Sequence, residues 1–594
     1  MQDCRKRYLK GVEDNIVNDN KTFWKYVNHQ RSNQSFPCNM FYNNLKSDNP
    51  RDSANLFASY FESVYSNDPG GNISYTSVPS VVSLNWFNIS VEQILEKLNA
   101  LDSSTNPGPD GIASIFLKSC SANIAVPLCT LYMKSLLFSE LPSLWKVSYV
   151  TPIFKKGNRS DVSNYRPICI GPAIAKIFDS IVADFLSFHL KPLIIDEQHG
   201  FFKGRSTTTN LLTFTTYIFS NLESGFDVDC IFTDMTKAFD RVNINILISK
   251  FYSIGLRDPL LSWLYSYLFN RQQFVIVNGV KSRSIEVTSG VPQGSHLGPL
   301  LFSVYINDVK KVINNSNLLL FADDLKLYNK ISNSIDCCLL QPDLDALKAW
   351  CVENKLDLNV NKCKAMRFSR KLNPDICQYL LMGQHLETVV HIRDLGVTLD
   401  PHLTYNVHID EVLSKANKML GFITRLSSEF FNLRVLLILY SASVRSNLEY
   451  CTTIWSPYYN CHIKRIEKIQ KKFVKNLCYK FNILYDQRNY DTILEYLGLV
   501  PLAVRRVMFD ACFIFKILSC VINCSVLLDK FLLHVPSYQV RNSHLLYIPF
   551  HRTLYGCNSS MCRLAQLTFH LRDIDFVGVS YSCFRSQARS ALKM

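Results

Sequence analysis

From about residue 146 to about 400, short β-rich apolar runs alternate with stretches of helical periodicity, which predicts a mixed α+β domain. From about 405 onward the pattern is mostly helical, and residues 1–65 also read as helical, with aromatic anchors in "KTFWKYVN" and "ANLFASYFESVY". Between them "SNDPGGNISYTSVPSVVS" has the Ser, Pro, Gly and Asn content of a linker. In "SVEQILEKLNALDSS" Val91, Ile94, Leu95 and Leu98 line one helical face, with Ser90 suited to the N-cap. One stretch breaks its own rhythm. "LLLFADDLKLY", 318–328, is built to be buried, yet it carries Asp323 and Asp324 at its centre. Two buried neighbouring carboxylates repel each other and call for basic side chains or metal ions.

Composition narrows the class. The chain has 594 residues, too many for one ordinary core, and 47% of them are hydrophobic, as in a globular protein. A formal net charge of +15 favours a polyanionic partner, nucleic acid before an anionic membrane. The N-terminus "MQDCRKRYLKGVEDN" has no apolar core of a secretory signal, so the 20 cysteines are expected to be reduced and buried in an intracellular protein, nuclear or cytoplasmic. Cys557 and Cys562 are the nearest approach to zinc spacing, without partners at finger distance. The longest stretch free of charge, 287–307, contains Pro292, Pro299 and three glycines, which is a loop leading into a helix at Pro299 and not a membrane span.

A second acidic site lies in "CIFTDMTKAFDRV", where a strand through Phe232 leads to Asp234. Strand-end carboxylates distant in sequence can converge on Mg²⁺, which prefers oxygen ligands, and two such ions ~4 Å apart serve phosphoryl transfer. Upstream, "WKVSYVTPIFKKGNRSDVSNYRPI" sets Lys155, Lys156, Arg159 and Arg166 near turn residues, as a triphosphate-binding surface needs.

Taken in order, "NPGPDGI", "TPIFKKGN…NYRPI", "FTDMTKAFD", "GVPQGSHLGPLLF", "FADD" and "LDLNVNKCKAMRF" resemble the successive motifs of a reverse transcriptase, closest to the jockey-like non-LTR retrotransposons. "RDLGVTLDPHLTYNVHI" is similar to that group's primer grip, and "LLILYSASVRSNLEYCTTIWSP" to its thumb. The resemblance implies a right-hand polymerase with helical N- and C-terminal extensions: 1–84 extension and linker, 85–399 fingers and palm, 400–490 thumb, 491–594 C-terminal region. It implies that Asp234 and Asp323 are the principal metal ligands and that Asp324 completes the triad. Adjacent strand residues face opposite ways, so Asp323 and Asp324 share a site only at a hairpin turn. Phe239 matches a steric gate against the sugar, and Gln293 and Gly294 the loop beneath incoming nucleotide and template. Arg166 and Lys155 or Lys156 match triphosphate contacts, and Lys362 a lysine protonating pyrophosphate. In "DEQHGFFKGRST" Phe202 stands where the family usually has an arginine, leaving Arg205 as the template contact. Two Mg²⁺ ions, with Mn²⁺ as a substitute, an RNA template, a DNA primer and dNTPs are the implied cofactors and partners.

Two expectations remain. In "HIKRIEKIQKKFVKNLCYK" Ile463, Ile466, Ile469 or Gln470, Phe473 and Leu477 form an apolar stripe, while Lys464, Lys468, Lys471, Lys472 and Lys475 crowd the other side, with Arg465 and Lys480 as further cations. That face suits phosphate tracking. The chain also starts too close to the polymerase motifs to hold the endonuclease domain of full-length elements, so the alternative to an active polymerase is a catalytically silent, nucleic-acid-binding relic.

Overall fold

The computed structural model describes residues 2–31, 36–37, 39–66, 83–333, 336–372, 374, 377–486, 489–535, 545–551, 553–576 and 578–592. The expected linker falls almost entirely outside them. Two sheets organise the structure. The first has four strands, β1 (Val147–Phe154), β2 (Tyr165–Ile170), β4 (Arg271–Val277) and β5 (Val280–Val287), in the order β2-β1-β4-β5. The second has five, β3 (Asp227–Thr233), β6 (Asn317–Phe321), β7 (Asp324–Ile331), β8 (Lys364–Phe368) and β9 (Glu387–Thr388), in the order β9-β8-β3-β7-β6. In that sheet β3 lies at the centre, antiparallel to β8 and to β7, and β7 turns back on β6.

The buried side chains of the described residues form three cores, and the five-stranded sheet separates two of them. Leu318 and Leu320 of β6 point into one, Leu319 into the other; on β3, Ile231 and Cys230 divide in the same way. This is why the run before Phe321 is continuously apolar: a strand covered on both faces loses the polar half of its alternation. Each such leucine contributes roughly 1.5–3 kcal/mol.

The helices that matter here are α1 (Gln2–Asn18), α2 (Lys21–Arg31), α3 (Pro50–Val64), α4 (Val91–Asn99), α5 (Ala173–Leu190), α6 (Thr207–Glu223), α7 (Leu297–Ile306), α8 (Asn406–Leu426), α9 (Asn460–Lys480), α10 (Leu502–Leu518), α11 (Ser560–His570) and α12 (Tyr581–Ala591). The α4 expectation holds: the Ser90 hydroxyl accepts from the Gln93 amide and the Gln93 side chain accepts from the Ser90 amide, a reciprocal capping box. Helix α7 starts at Leu297, two residues before Pro299, because the buried Asp179 carboxylate of α5 accepts from the amides of His296 (2.6 Å) and Leu297 (3.3 Å). No described helix is long and apolar enough to cross a membrane.

Packing cuts across three sequence expectations. Residues 1–84 pack in two places. Helices α1 and α2 join the core of α8–α12, where Trp24 stacks on Phe422 at 5.7 Å and Glu13 accepts from the Asn432 amide at 2.8 Å, while α3 packs on β4 and β5. Nor does the core break near 490, because Ile466 of α9 and Phe513 of α10 belong to the same cluster, and Glu467 accepts from the Leu502 amide. The cysteines are not uniformly reduced and buried. Cys337 and Cys377 form a disulfide, brought together where the chain after β8 returns beside the helix that begins at Cys337, and Cys4, Cys338, Cys461, Cys520 and Cys583 are exposed.

Candidate active site

β3 ends at Thr233, and the chain leaves it through Asp234 and Met235. The segment 357–362 pins this exit: Thr236 N–H donates to Asp357 O (2.8 Å), Asn359 N–H donates to Asp234 O (2.8 Å), and Met235 bridges Leu358. The same segment turns Lys362 back towards the strand end, where its Nζ lies 2.8 Å from Asp234 Oδ2.

On the neighbouring hairpin Phe321 pairs with Asp324, so Ala322 and Asp323 form a two-residue turn. Ala322 adopts a left-handed φ of 59°. Asp323 is therefore in the turn and Asp324 on the first position of β7, the arrangement that lets adjacent carboxylates address one site. Their surroundings differ. Burial and the Asp234 charge raise the Asp323 carboxyl, opposed by Arg166 and Lys155. Burial, then Asp323, Asp394 and Asp234, push the Asp324 carboxyl up to about 6, opposed by Lys326. Thus Asp323 lies within the field of the four-stranded sheet's cations, and Asp324 within that of the buried Lys326–Asp394 ion pair. That pair ties β7 to the hairpin of β10 (Ile392–Asp394) and β11 (Val397–Leu399). A cleft of about 200 Å³ lies between Asp234, Asp324, Lys362 and this hairpin.

The donor set suits a divalent cation. Three carboxylates share one field, and two of them are shifted towards the neutral form, which added positive charge would reverse. Their oxygens do not all lie within 4.8 Å of one another; among the described residues only Asp229, Cys337 and Cys377 meet that distance. There the Asp229 carboxylate already accepts from Arg367 and from the Tyr379 hydroxyl, and the sulfurs are bonded to each other.

Residues 153–421 match the family model described as reverse transcriptase (RNA-dependent DNA polymerase). The match marks a reverse transcriptase domain in this part of the chain. Relatives include the probable RNA-directed DNA polymerase from transposon BS of Drosophila melanogaster, 30% identical over 61% of this chain and 42% of the relative. The probable RNA-directed DNA polymerase from transposon X-element of the same fly is 26% identical over 64% and 43%. The RNA-directed DNA polymerase from mobile element jockey of Drosophila funebris is 24% identical over 66% and 44%. The chain spans less than half the length of these relatives.

Within and around this reverse transcriptase domain the expected residues divide. Lys155 and Lys156 are exposed just past β1, and Arg166 is exposed on β2. Burial, and then the neighbouring Arg166, Lys362 and Lys156 charges, push the Lys155 amine down. Phe239 is half-buried, stacked on Phe302 at 4.4 Å and edge-on to Phe201 at 6.0 Å. Gln293 donates its amide to the buried Asp240 carboxylate at 2.6 Å. Gly294 has φ 107°, and a Cβ there would meet Cys169 O at 3.1 Å, so the loop passes close against β2.

The Arg205 guanidinium donates to Ile195 O (2.8 Å), Gln198 O (2.7 Å), Asn523 O (3.2 Å) and Asp196 (2.6 Å), bonds that brace its own loop. On α9 Ile466, Ile469, Gln470, Phe473 and Leu477 of the apolar stripe are buried and Ile463 is half-buried, while Lys464, Lys468, Lys471, Lys472 and Lys475 are exposed. Arg465 pairs with Asp410, and Lys480 donates to Ser427 O and Ser428 O, so these two cations serve the fold.

Sequence reasoning missed the clamp on the acidic hairpin. The Gln198 side-chain oxygen accepts from the amides of Gly200 (2.8 Å) and Ala322 (3.0 Å), His199 N–H donates to Leu320 O (2.9 Å), and the Asn210 amide donates to the same carbonyl. A Cβ on Gly200 would lie 2.5 Å from the Ala322 amide nitrogen. The signal was present in "EQHGF", where a glycine follows polar residues able to hold a turn. Asp240, one residue beyond Phe239, was also missed, because a buried acid is invisible without its neighbours.

Proposed function

We propose that this chain is an RNA-directed DNA polymerase that adds dNTPs to a primer 3′-hydroxyl on an RNA template. The five-stranded sheet is its palm, the four-stranded sheet with α3 its fingers, and α8–α9 with the helices between them its thumb. The observation that carries the reading is the hairpin that sets Asp323 and Asp324 beside Asp234, with Lys155 and Arg166 opposed to Asp323. Asp234, Asp323 and Asp324 would hold two Mg²⁺ ions, or Mn²⁺, which when bound stabilise the attacking and leaving oxygens.

The protein's own groups do the positioning. Arg166 and Lys155, with Lys156 beside them, present cations to a triphosphate at the edge of the cleft. Lys362, held against Asp234, is placed to give a proton to departing pyrophosphate. Phe239, backed by Phe302, presents a ring against the sugar. Gln293, fixed by Asp240, and Gly294, tight against β2, shape the floor beneath the base pair. The exposed lysines of α9 track phosphates.

The deciding assay is dNTP incorporation by the purified chain on a primed RNA template, with Mg²⁺ and with chelator. Metal-dependent extension is expected. RNA binding without incorporation would overturn the reading in favour of a non-catalytic relic.

A further inference from the structure

A second cavity, about 730 Å³, shares no lining residue with the cleft at Asp234. It is walled by residues 370–372 after β8, by 402–406 ahead of α8, by 454–459 ahead of α9 and by parts of 553–563. Its size is that of a site for a sizeable ligand. Its lining among the described residues contains no Asp or Glu, although the wall includes Arg370, Lys371, His402, His462 and Arg563.

The nearby carboxylates are engaged elsewhere. Asp227 holds Lys371 at 2.9 Å, and Asp510 holds Arg563 at 2.8 Å. Asp400 accepts from the backbone amides of His402, Thr404 and Tyr405. Arg370 has no carboxylate partner among the described residues. Its guanidinium lies over the Tyr555 ring at 4.4 Å and acts on the Tyr458 hydroxyl as well. Tyr458 and Tyr459 are 4.2 Å apart between ring centroids, and both are exposed. The Tyr555 hydroxyl is buried and has no hydrogen-bond partner among the described residues.

Exposed aromatic faces, two imidazoles and a guanidinium that meets no carboxylate, with no acid in the wall, all among the described residues, are the chemistry of a surface for unstacked bases and phosphates. An acidic peptide would match the cations but leave the paired tyrosine rings without a function. Helix α9 begins one residue after Tyr459, so its exposed lysines continue from the rim of the cavity.

We propose that this cavity is a holding site for single-stranded nucleic acid apart from the cleft at Asp234, with bases stacking on Tyr458 and Tyr459 and phosphates meeting Arg370 and His402. Part of its wall, 402–406 and 454–457, falls in the segments that resemble the primer grip and thumb, so the site rests on the polymerase reading, while its test measures binding and no incorporation.

The test is fluorescence anisotropy with a labelled uridine-rich RNA of about 12 nucleotides, within the span of a single-strand site, beside the matching single-stranded DNA and a blunt duplex. Tyr458→Ala with Tyr459→Ala should weaken single-strand binding by about tenfold, and Arg370→Ala should weaken it and reduce its salt dependence. The duplex should bind as before. Tyr458→Phe with Tyr459→Phe should restore affinity, which separates stacking from misfolding. 4-Thiouridine in the RNA should crosslink to the peptides around 458 and 555. Loss on RNA alone assigns the site to RNA, and loss on both single strands assigns it to either. Unchanged affinity in folded variants, equal loss on the duplex, or crosslinks confined to the cleft at Asp234 would overturn the proposal.

Discussion

Lys362 places its ammonium 2.8 Å from a carboxylate oxygen of Asp234, across 128 residues of sequence. Both side chains are substantially exposed, 47% and 36%, so the pair adds little to stability. Lys362→Ala should therefore leave the unfolding midpoint nearly unchanged while slowing primer extension about tenfold or more. Asp234→Asn and Asp323→Asn should abolish extension with primer–template affinity held within a few-fold, because the ions they would bind act on the transition state. Asp324→Asn should also be damaging. Extension that survives Asp323→Asn would remove that residue from the metal site.

Gly200 lies against the turn of the acidic hairpin, where a Cβ would sit 2.5 Å from the Ala322 amide nitrogen. The obstacle is backbone and cannot swing aside. Gly200→Ala should destabilise the protein by about 1–3 kcal/mol, as overpacking does, and should lower extension by displacing Asp323. Denaturant unfolding together with single-turnover extension would show it. Unaltered stability would mean that 197–200 does not fix the hairpin.

Asp240 offers a pH test. Burial pushes its carboxyl up to about 6, against roughly 3.9 in an unfolded chain. The folded state holds the proton more tightly, so the contribution of Asp240 to stability falls as pH rises from about 4 to about 6 and stays low above that. Asp240→Asn keeps an acceptor for the Gln293 amide and removes the titration. The variant should gain on the wild type by up to about 3 kcal/mol as pH rises from 4 to 7. A difference that stays constant across that range, measured by urea midpoints in chelator, would contradict this.

Phe239 stacks on Phe302 and is only half-buried. If its ring meets the sugar, Phe239→Val should keep dNTP incorporation and admit rNTPs. The ratio of the two kcat/KM values should fall by about tenfold, ~1.4 kcal/mol of discrimination. A purely structural phenylalanine would lose both activities in parallel. Single-nucleotide insertion opposite one template base, on protein checked by its melting curve, separates the two.

Reversing Lys464, Lys468, Lys471 and Lys475 to Glu should weaken duplex binding and flatten its dependence on salt, since fewer counterions would be released. Nucleotide choice should not change. An unaltered salt slope would return the exposed face of α9 to a solvated surface.

The sequence by itself determined the elements and the chemistry they carry. The apolar runs to Phe232 and to Phe321 specify strands, and carboxylates placed at their ends are legible because burying them unpaired is so costly. The stripe of Ile466, Phe473 and Leu477 specifies one face of α9, and Ser90 with Gln93 specifies a helix start, because both signals are local in sequence. Only the tertiary structure decided what depends on residues far apart. It drew Lys362 to Asp234 and gave Asp323 and Asp324 different neighbours. It engaged Arg205 and Lys480 in the fold, while Arg370 meets a tyrosine ring and no carboxylate among the described residues, and it joined α1 and α2 to the core of α8–α12. A cation reads the same in sequence whether its charge is met by a carboxylate, a carbonyl or solvent. That choice is made by packing, through contacts that no local pattern encodes.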